Sequence, residues 1–208
     1  MSKFTKVLLV IALVGAVIGG VGVADAIKIW KNDIDELDDV ALGSMSAGQM
    51  LEGDVESAYD VVATETTPQT YGFIPVSKTE SPFYIVSNNN CYYLINVTRA
   101  DMKEDFETLM EQSWDYIDGK TDSAPGKVHL TGQVVKTPDK VVEFLKEYCD
   151  EAQMTEDEYN NLVEHSYCVK TVKFDVMKYS PFIGFGVMLL CLIILIIKKI
   201  RSPKIVNL

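Results

Sequence analysis

The sequence predicts an α+β protein, an OB-like small β-barrel with accessory helices, flanked by two transmembrane helices. Three observations lead there. Two apolar stretches, Val7 to Ala24 and Pro181 to Ile197, bracket the chain, and all 30 acidic residues lie between them. Within the bracketed region, segments alternate apolar and polar residues with period two, and two of them carry a glycine near the middle, Gly53 and Gly132. Helical spacing enters only after four such strands, which suits a small barrel with a helix before its closing strands. A plain α+β sandwich with helices on one face fits nearly as well.

The first apolar stretch contains 18 residues without a charge. As a helix it would span about 27 Å at ~1.5 Å per residue, close to the thickness of a hydrocarbon core. Small residues recur along it. Ala12, Ala16, Gly20 and Ala24 fall at every fourth position, with Gly15 and Gly19 as a GxxxG pair beside them. Helices in lipid associate by close backbone approach, so Ala12, Gly15, Ala16, Gly19 and Gly20 read as a packing face for a membrane-protein partner or a second copy of the chain. A signal peptide is the rival reading, with Met1 to Lys6 as its basic start and Ala24-Asp25-Ala26 as its cleavage site. The Gly/Ala periodicity favours a retained anchor. The second stretch is rich in Leu and Ile and has boundary residues at both ends, Tyr179 and the Lys198/Lys199 pair.

Lys3, Lys6, Lys198, Lys199, Arg201 and Lys204 form basic tails without any carboxylate. Removing these six charges from the total of −11 leaves −17 for the rest. Basic flanks remain on the cytoplasmic side, which predicts a multi-pass protein of the cell membrane with both termini inside. The expected divisions are tails at 1–6 and 198–208, spans at 7–29 and 179–197, and an exterior domain at 30–178. Nucleic acid is an unsuitable partner for so acidic a surface, and the lipid bilayer is the partner the helices imply.

Along the exterior region, Lys28 to Ala47 is a polar lead-in. Its acidic cluster at Asp33 to Asp39 lacks the glycine and distal glutamate of a calcium loop. Met50 to Ala63 reads as one long strand in which Gly53 allows a bend or bulge. Tyr71–Val76, Pro82–Ser87 and Cys91–Val97 are further strands, with a turn at Asn88-Asn-Asn90. Asp101 opens a helix running to about Tyr116 with Met102, Phe106, Leu109, Met110 and Ile117 on one face. Lys127 to Val135 is a strand. Thr137-Pro138 caps a helix carrying Val141, Val142, Leu145 and Tyr148 inward, and Thr155-Glu-Asp-Glu158 is a capping box for a short helix to about Glu164. Tyr167 to Phe174 is the last strand and leads into the membrane.

This pattern resembles a family of uncharacterised Gram-positive bacterial membrane proteins with an OB-like extracytoplasmic domain between two transmembrane helices. Leu51-x-Gly53-x-Val55, the region of Tyr59, and Leu130-Thr-Gly132-x-Val134 carry the resemblance. It implies that fold and location and no activity.

Candidate chemistry is sparse. Ser46 in Gly43-Ser-Met-Ser-Ala-Gly48 lacks the glycine that a nucleophile elbow needs at position 44. His129 on a strand and His165 at a helix end have no nucleophile beside them in sequence. Cys91 follows a triple Asn and has apolar neighbours, without a cation to stabilise its thiolate. Cys149 and Cys168 flank the helical pair and are the expected disulfide if one forms, and Cys191 lies in the second span. Asn96-Val-Thr98 matches a glycosylation acceptor. Tyr59, Tyr71, Phe73, Phe83, Tyr84, Tyr92 and Tyr93 suit a barrel core, with sugar or peptide binding as the other use for some of them. No metal, cofactor or catalytic constellation is expected. The leading function is therefore a non-enzymatic, membrane-anchored acidic binding or assembly domain. Its alternatives are a thiol-dependent enzyme or redox protein, and an accessory subunit of a transporter or cell-wall complex.

Overall fold

A computed structural model of the protein describes residues 3–71, 74–89 and 91–201, and omits the side chains of 69–71 and 74–76. The expectations for Phe73, Asn90 and Lys204, and for the side chain of Tyr71, lie outside the described residues. In chain order the elements are α1 (Lys3–Val21), α2 (Val23–Trp30), β1 (Asp35–Glu36), β2 (Met50–Val55), β3 (Ser57–Tyr71), β4 (Ile74–Asn88) and β5 (Cys91–Asn96). They continue as α3 (Lys103–Ile117), β6 (Val128–Lys136), α4 (Asp139–Glu151), α5 (Glu156–Leu162), β7 (Val163–Thr171) and α6 (Phe174–Arg201). Contacts divide them into a helical unit, Met1–Asp33 with Phe174–Leu208, and a folded unit, Ile34–Lys173.

In the helical unit, α1 and α6 are long and apolar enough to cross a membrane. Their large side chains point outward, Leu13 and Ile183 each 66% exposed, which is the reverse of a soluble core. The two helices meet where side chains are smallest. A Cβ on Gly15 would stand 2.7 Å from the carbonyl oxygen of Gly184, and one on Gly19 would stand 2.9 Å from the Phe185 ring. Leu8, Ala12 and Cys191 continue the seam. Gly20 has nothing near it and is exposed. Of the expected packing face, Ala12, Gly15 and Gly19 are buried, Ala16 is half-buried, and Gly15 and Gly19 meet α6 of the same chain. Helix α6 starts at Phe174 rather than at Tyr179, and Pro181 lies inside it. At about 42 Å it is longer than a hydrocarbon core by roughly two turns. Those turns hold Lys178, whose ammonium lies 4.5 Å from the Trp30 ring centre, while Trp30 meets Tyr179 and Phe182 edge-on. At the other end Lys198 lies over Phe4 at 4.9 Å.

The folded unit is built on a seven-stranded mixed sheet in the order β1-β2-β6-β7-β5-β4-β3. It is open, with β1 and β3 at its edges, and so corrects the expected closed barrel. The long strand read from Met50 to Ala63 breaks at Glu56. Its halves, β2 and β3, then pair on opposite sides of the sheet, and no ladder among the described residues joins them. Gly53 is not the bend. It stays in register opposite Leu130, and its missing side chain makes room for Leu37, whose Cβ would lie 2.8 Å away. Register shifts occur in β3, at Ala58/Asp60 and Val61/Ala63. Gly132 likewise admits a neighbour, because a Cβ there would overlap the Val169 methyl.

Strands β3 and β4 are much longer than expected. From Thr64 and Pro82 outward to Tyr71 and Ile74 they pair only with each other, as an arm beyond the rest of the sheet. Alternation assigns the two faces. Leu51, Val55, Tyr84, Val86, Tyr93, Ile95, Leu130 and Val169 pack with Phe106 and Leu109 of α3. Phe83, Ile85, Leu94 and Cys168 pack with Val141, Leu145 and Cys149 of α4 and Tyr159 of α5. Ile117, expected on the buried face of α3, is exposed, and Ser113 takes the inward position.

Helix starts were partly legible. Thr155 and Glu158 form the reciprocal capping box, with the Glu158 amide donating to Thr155 Oγ1 at 3.2 Å. Thr137 caps nothing. It is buried, and Pro138 takes the cap position of α4 without a side-chain bond. Asp101 is also not a cap, because its carboxylate is held by Arg99 at 2.7 Å and Lys173 at 3.3 Å.

Candidate functional site

Four strands and three helices line an apolar cavity, open on one side, in the folded unit. Tyr59 of β3, Ile85 of β4 and Tyr92 of β5 form its floor. Tyr148 and Cys149 of α4, Met154 of the α4–α5 link, Leu162, Val163 and Trp114 of α3 complete the wall. The volume is about 270 Å³. The two floor tyrosines pack ring on ring at 5.5 Å. Their position follows from strand alternation, which turns them toward the helices rather than toward the core beneath α3. Trp114 reaches the cavity because α3 buries Phe106, Leu109 and Ser113, leaving the tryptophan on the flank, 42% exposed.

The Tyr59 hydroxyl lies 2.7 Å from Ser87 Oγ. Trp114 Nε1–H donates to the Tyr59 carbonyl at 2.6 Å. The Tyr148 side chain lies near the Asp60 carboxylate, and that of Tyr92 near Tyr59. Burial, and secondly the Asp60 charge, raises the Tyr148 pKa above the ordinary phenol value; burial and Tyr59 do the same for Tyr92. The Cys149 thiol is raised by burial and by Asp150. The wall is thus uncharged and resists ionisation.

A larger cavity of about 440 Å³ lies between α3 and the start of β6, lined by Asp105, Gln112, Lys127 and His129 among others. It is polar, and Gln112, Lys127 and His129 are occupied with their own neighbours. Gln112 accepts from the Gly126 amide at 2.8 Å, Lys127 pairs with Glu56 at 2.6 Å, and His129 lies 2.9 Å from Asp54 and 3.4 Å from Glu52. Specific organic ligands are held by apolar cavities with a few convergent polar groups, a description that fits the aromatic cavity better.

The other residues singled out in the sequence are dispersed. Ser44 closes a turn on Ala41, and the Ser46 amide donates to Gln49 at 3.1 Å. His165 lies in β7 rather than at a helix end, because α5 stops at Leu162; its ring packs on Tyr159 at 4.9 Å. Asn96 is buried, with its side-chain oxygen unpartnered, so the glycosylation triplet does not present an acceptor at the surface. Cys91, Cys149, Cys168 and Cys191 are buried free thiols, and Cys149 and Cys168 share one core cluster. Burial raises the Cys168 pKa to about 11, and burial with the Glu164 charge raises that of Cys91. Among the described residues no group of three or more His, Cys, Asp or Glu is placed to hold a metal ion. Of the aromatic residues weighed in the sequence, Tyr59 and Tyr92 reach the cavity, whereas Phe83, Tyr84 and Tyr93 are core. Trp114, Met154 and Leu162 gave no signal beyond an apolar side chain near a helix end.

The model of a family described as a domain of unknown function, DUF8577, matches residues 1–201. No curated protein matches the chain.

Proposed function

The chain belongs to the DUF8577 family, which brings a shared domain and no activity, and we propose that it is a two-span membrane protein presenting an acidic ligand-binding domain outside the cytoplasm. The aromatic cavity carries the binding part of this reading. It has the apolar, aromatic lining of a ligand site, with room for a small ligand, and none of the groups around it is poised for nucleophilic or acid–base work. Buried thiols with raised pKa values make poor nucleophiles, which weighs against a thiol-dependent enzyme.

The membrane part is supported by α1 and α6, with their outward apolar side chains, and by the basic tails. Basic flanks put both termini inside and the −17 region outside. An OB-like description of the folded unit is supported by its strand sequence. The chain passes from β2 directly to β3 across the sheet, β5 lies parallel to β7, and α3 falls between β5 and β6. Protease added to sealed cells is expected to degrade the folded unit, whereas inside-out vesicles protect it. The opposite pattern overturns the orientation.

A further inference from the structure

We propose that the aromatic cavity binds the alkylated ammonium group of a small organic cation, a deepening that rests on reading this cavity as the ligand site. Four aromatic side chains, Tyr59, Tyr92, Trp114 and Tyr148, line it together, and no Lys, Arg or His is among the lining residues. Aromatic faces attract a cation through their quadrupole, most strongly where water is excluded. A carboxylate stands beside the wall, near enough for the Asp60 charge to raise the Tyr148 pKa after burial does. The −17 of the surrounding region adds a long-range field that draws positive ligands and repels anions.

The hydrogen-bond inventory separates this occupant from other classes. The Tyr59 hydroxyl and the Trp114 N–H have partners, and the Tyr92 and Tyr148 side chains lie near Tyr59 and Asp60. A sugar would need several of those groups free, and burying its hydroxyls unpaired is costly. A metal ion would need oxygen or nitrogen ligands that the wall lacks. A methylated ammonium asks for neither. Its charge is clad in C–H groups, so it satisfies an apolar aromatic wall and an acidic field at once.

The test uses the full-length Trp30→Phe protein in phosphatidylglycerol nanodiscs, which contain no choline headgroups and leave Trp114 as the sole tryptophan. Choline is titrated against 3,3-dimethylbutan-1-ol, which has nearly the same shape without the charge. Choline is expected to change Trp114 emission saturably and to bind at least about tenfold more tightly than the alcohol. Asp60→Asn keeps the amide contact to Val61 and should weaken choline alone. Tyr148→Leu should weaken it by roughly 2- to 30-fold, the size of one cation–π contact. Tyr116→Phe, an exposed change on α3 outside the cavity lining, should retain binding, and unchanged binding of the alcohol by Tyr148→Leu guards against a folding artefact. Equal binding of choline and the alcohol, or no saturable change with choline, overturns the proposal. Because binding is read without reference to sidedness, its failure is distinct from a reversed protease pattern.

Discussion

At Gly132 one missing methylene decides whether two strands can lie side by side. The Val169 methyl of β7 occupies the place that a Cβ would take, and both residues sit in the core beneath α3. Gly132→Ala should therefore destabilise the folded unit by about 1–3 kcal/mol, as overpacking does in close-packed cores. A lower melting temperature of the full chain, partly restored by adding Val169→Ala, is the expected result; no shift would mean that β7 yields freely. Cys168 lends itself to a second residue-level test. Its thiol has a pKa near 9 when unfolded and about 11 when folded, because burial opposes the thiolate. The unfolded chain loses that proton first, so the contribution is intact below pH 9 and is lost as pH rises through 9 to 11. Unfolding followed across that window should show stability falling with pH, and Cys168→Ala should flatten the slope. An unchanged slope would assign it to other groups, such as Tyr159, whose pKa is raised to about 12 by burial and then by Cys149.

Elements show why some of the fold was legible in the sequence and some was not. The capping box at Thr155 is a local device of four residues, and it formed as read. The α1–α6 seam was half legible. Small residues at Ala12, Gly15 and Gly19 announced close approach, but sequence spacing does not say which helix approaches. Gly15→Leu should push α6 away from α1, because the Gly184 carbonyl already occupies that space. With Ala12→Cys introduced beside Cys191, a short thiol-to-thiol crosslinker is expected to join the two helices, and Gly15→Leu should abolish most of that product. Persistent crosslinking would show that the seam tolerates bulk. The β3–β4 arm was not legible. Thr64 to Gln69 and Ser77 to Glu80 carry almost no apolar alternation, and a two-stranded ribbon outside the sheet has no core face to produce one. Threonine suits such a ribbon through its β preference alone. The cavity was hidden for a related reason. Its walls come from seven elements, and convergence of Tyr59, Trp114 and Tyr148 is a property of the sheet order, which local patterns do not encode.

Over the whole molecule, the proposed topology predicts that basic charge at each end fixes its own span independently. Lys3 and Lys6 lie in the first turns of α1, while Lys198, Lys199 and Arg201 end α6, and neither tail contains an acid. Either basic set alone opposes translocation of its own terminus, and the hairpin of α1 and α6 ties one terminus to the other. Removing one set should therefore leave the proposed orientation in place, and removing both should scramble it. Ser123→Cys supplies the reporter, because Ser123 lies exposed in the loop before β6 and the four native thiols are buried. A membrane-impermeant maleimide should label Cys at that position in intact cells when Lys3 and Lys6 are replaced by Gln. Labelling should persist when Lys198, Lys199, Arg201 and Lys204 alone are replaced. With all six replaced, it should fall to about half, as the chain inserts in both directions. Loss of labelling after the first pair alone would mean that the N-terminal helix dictates topology and that the second basic cluster serves only to anchor the end of α6.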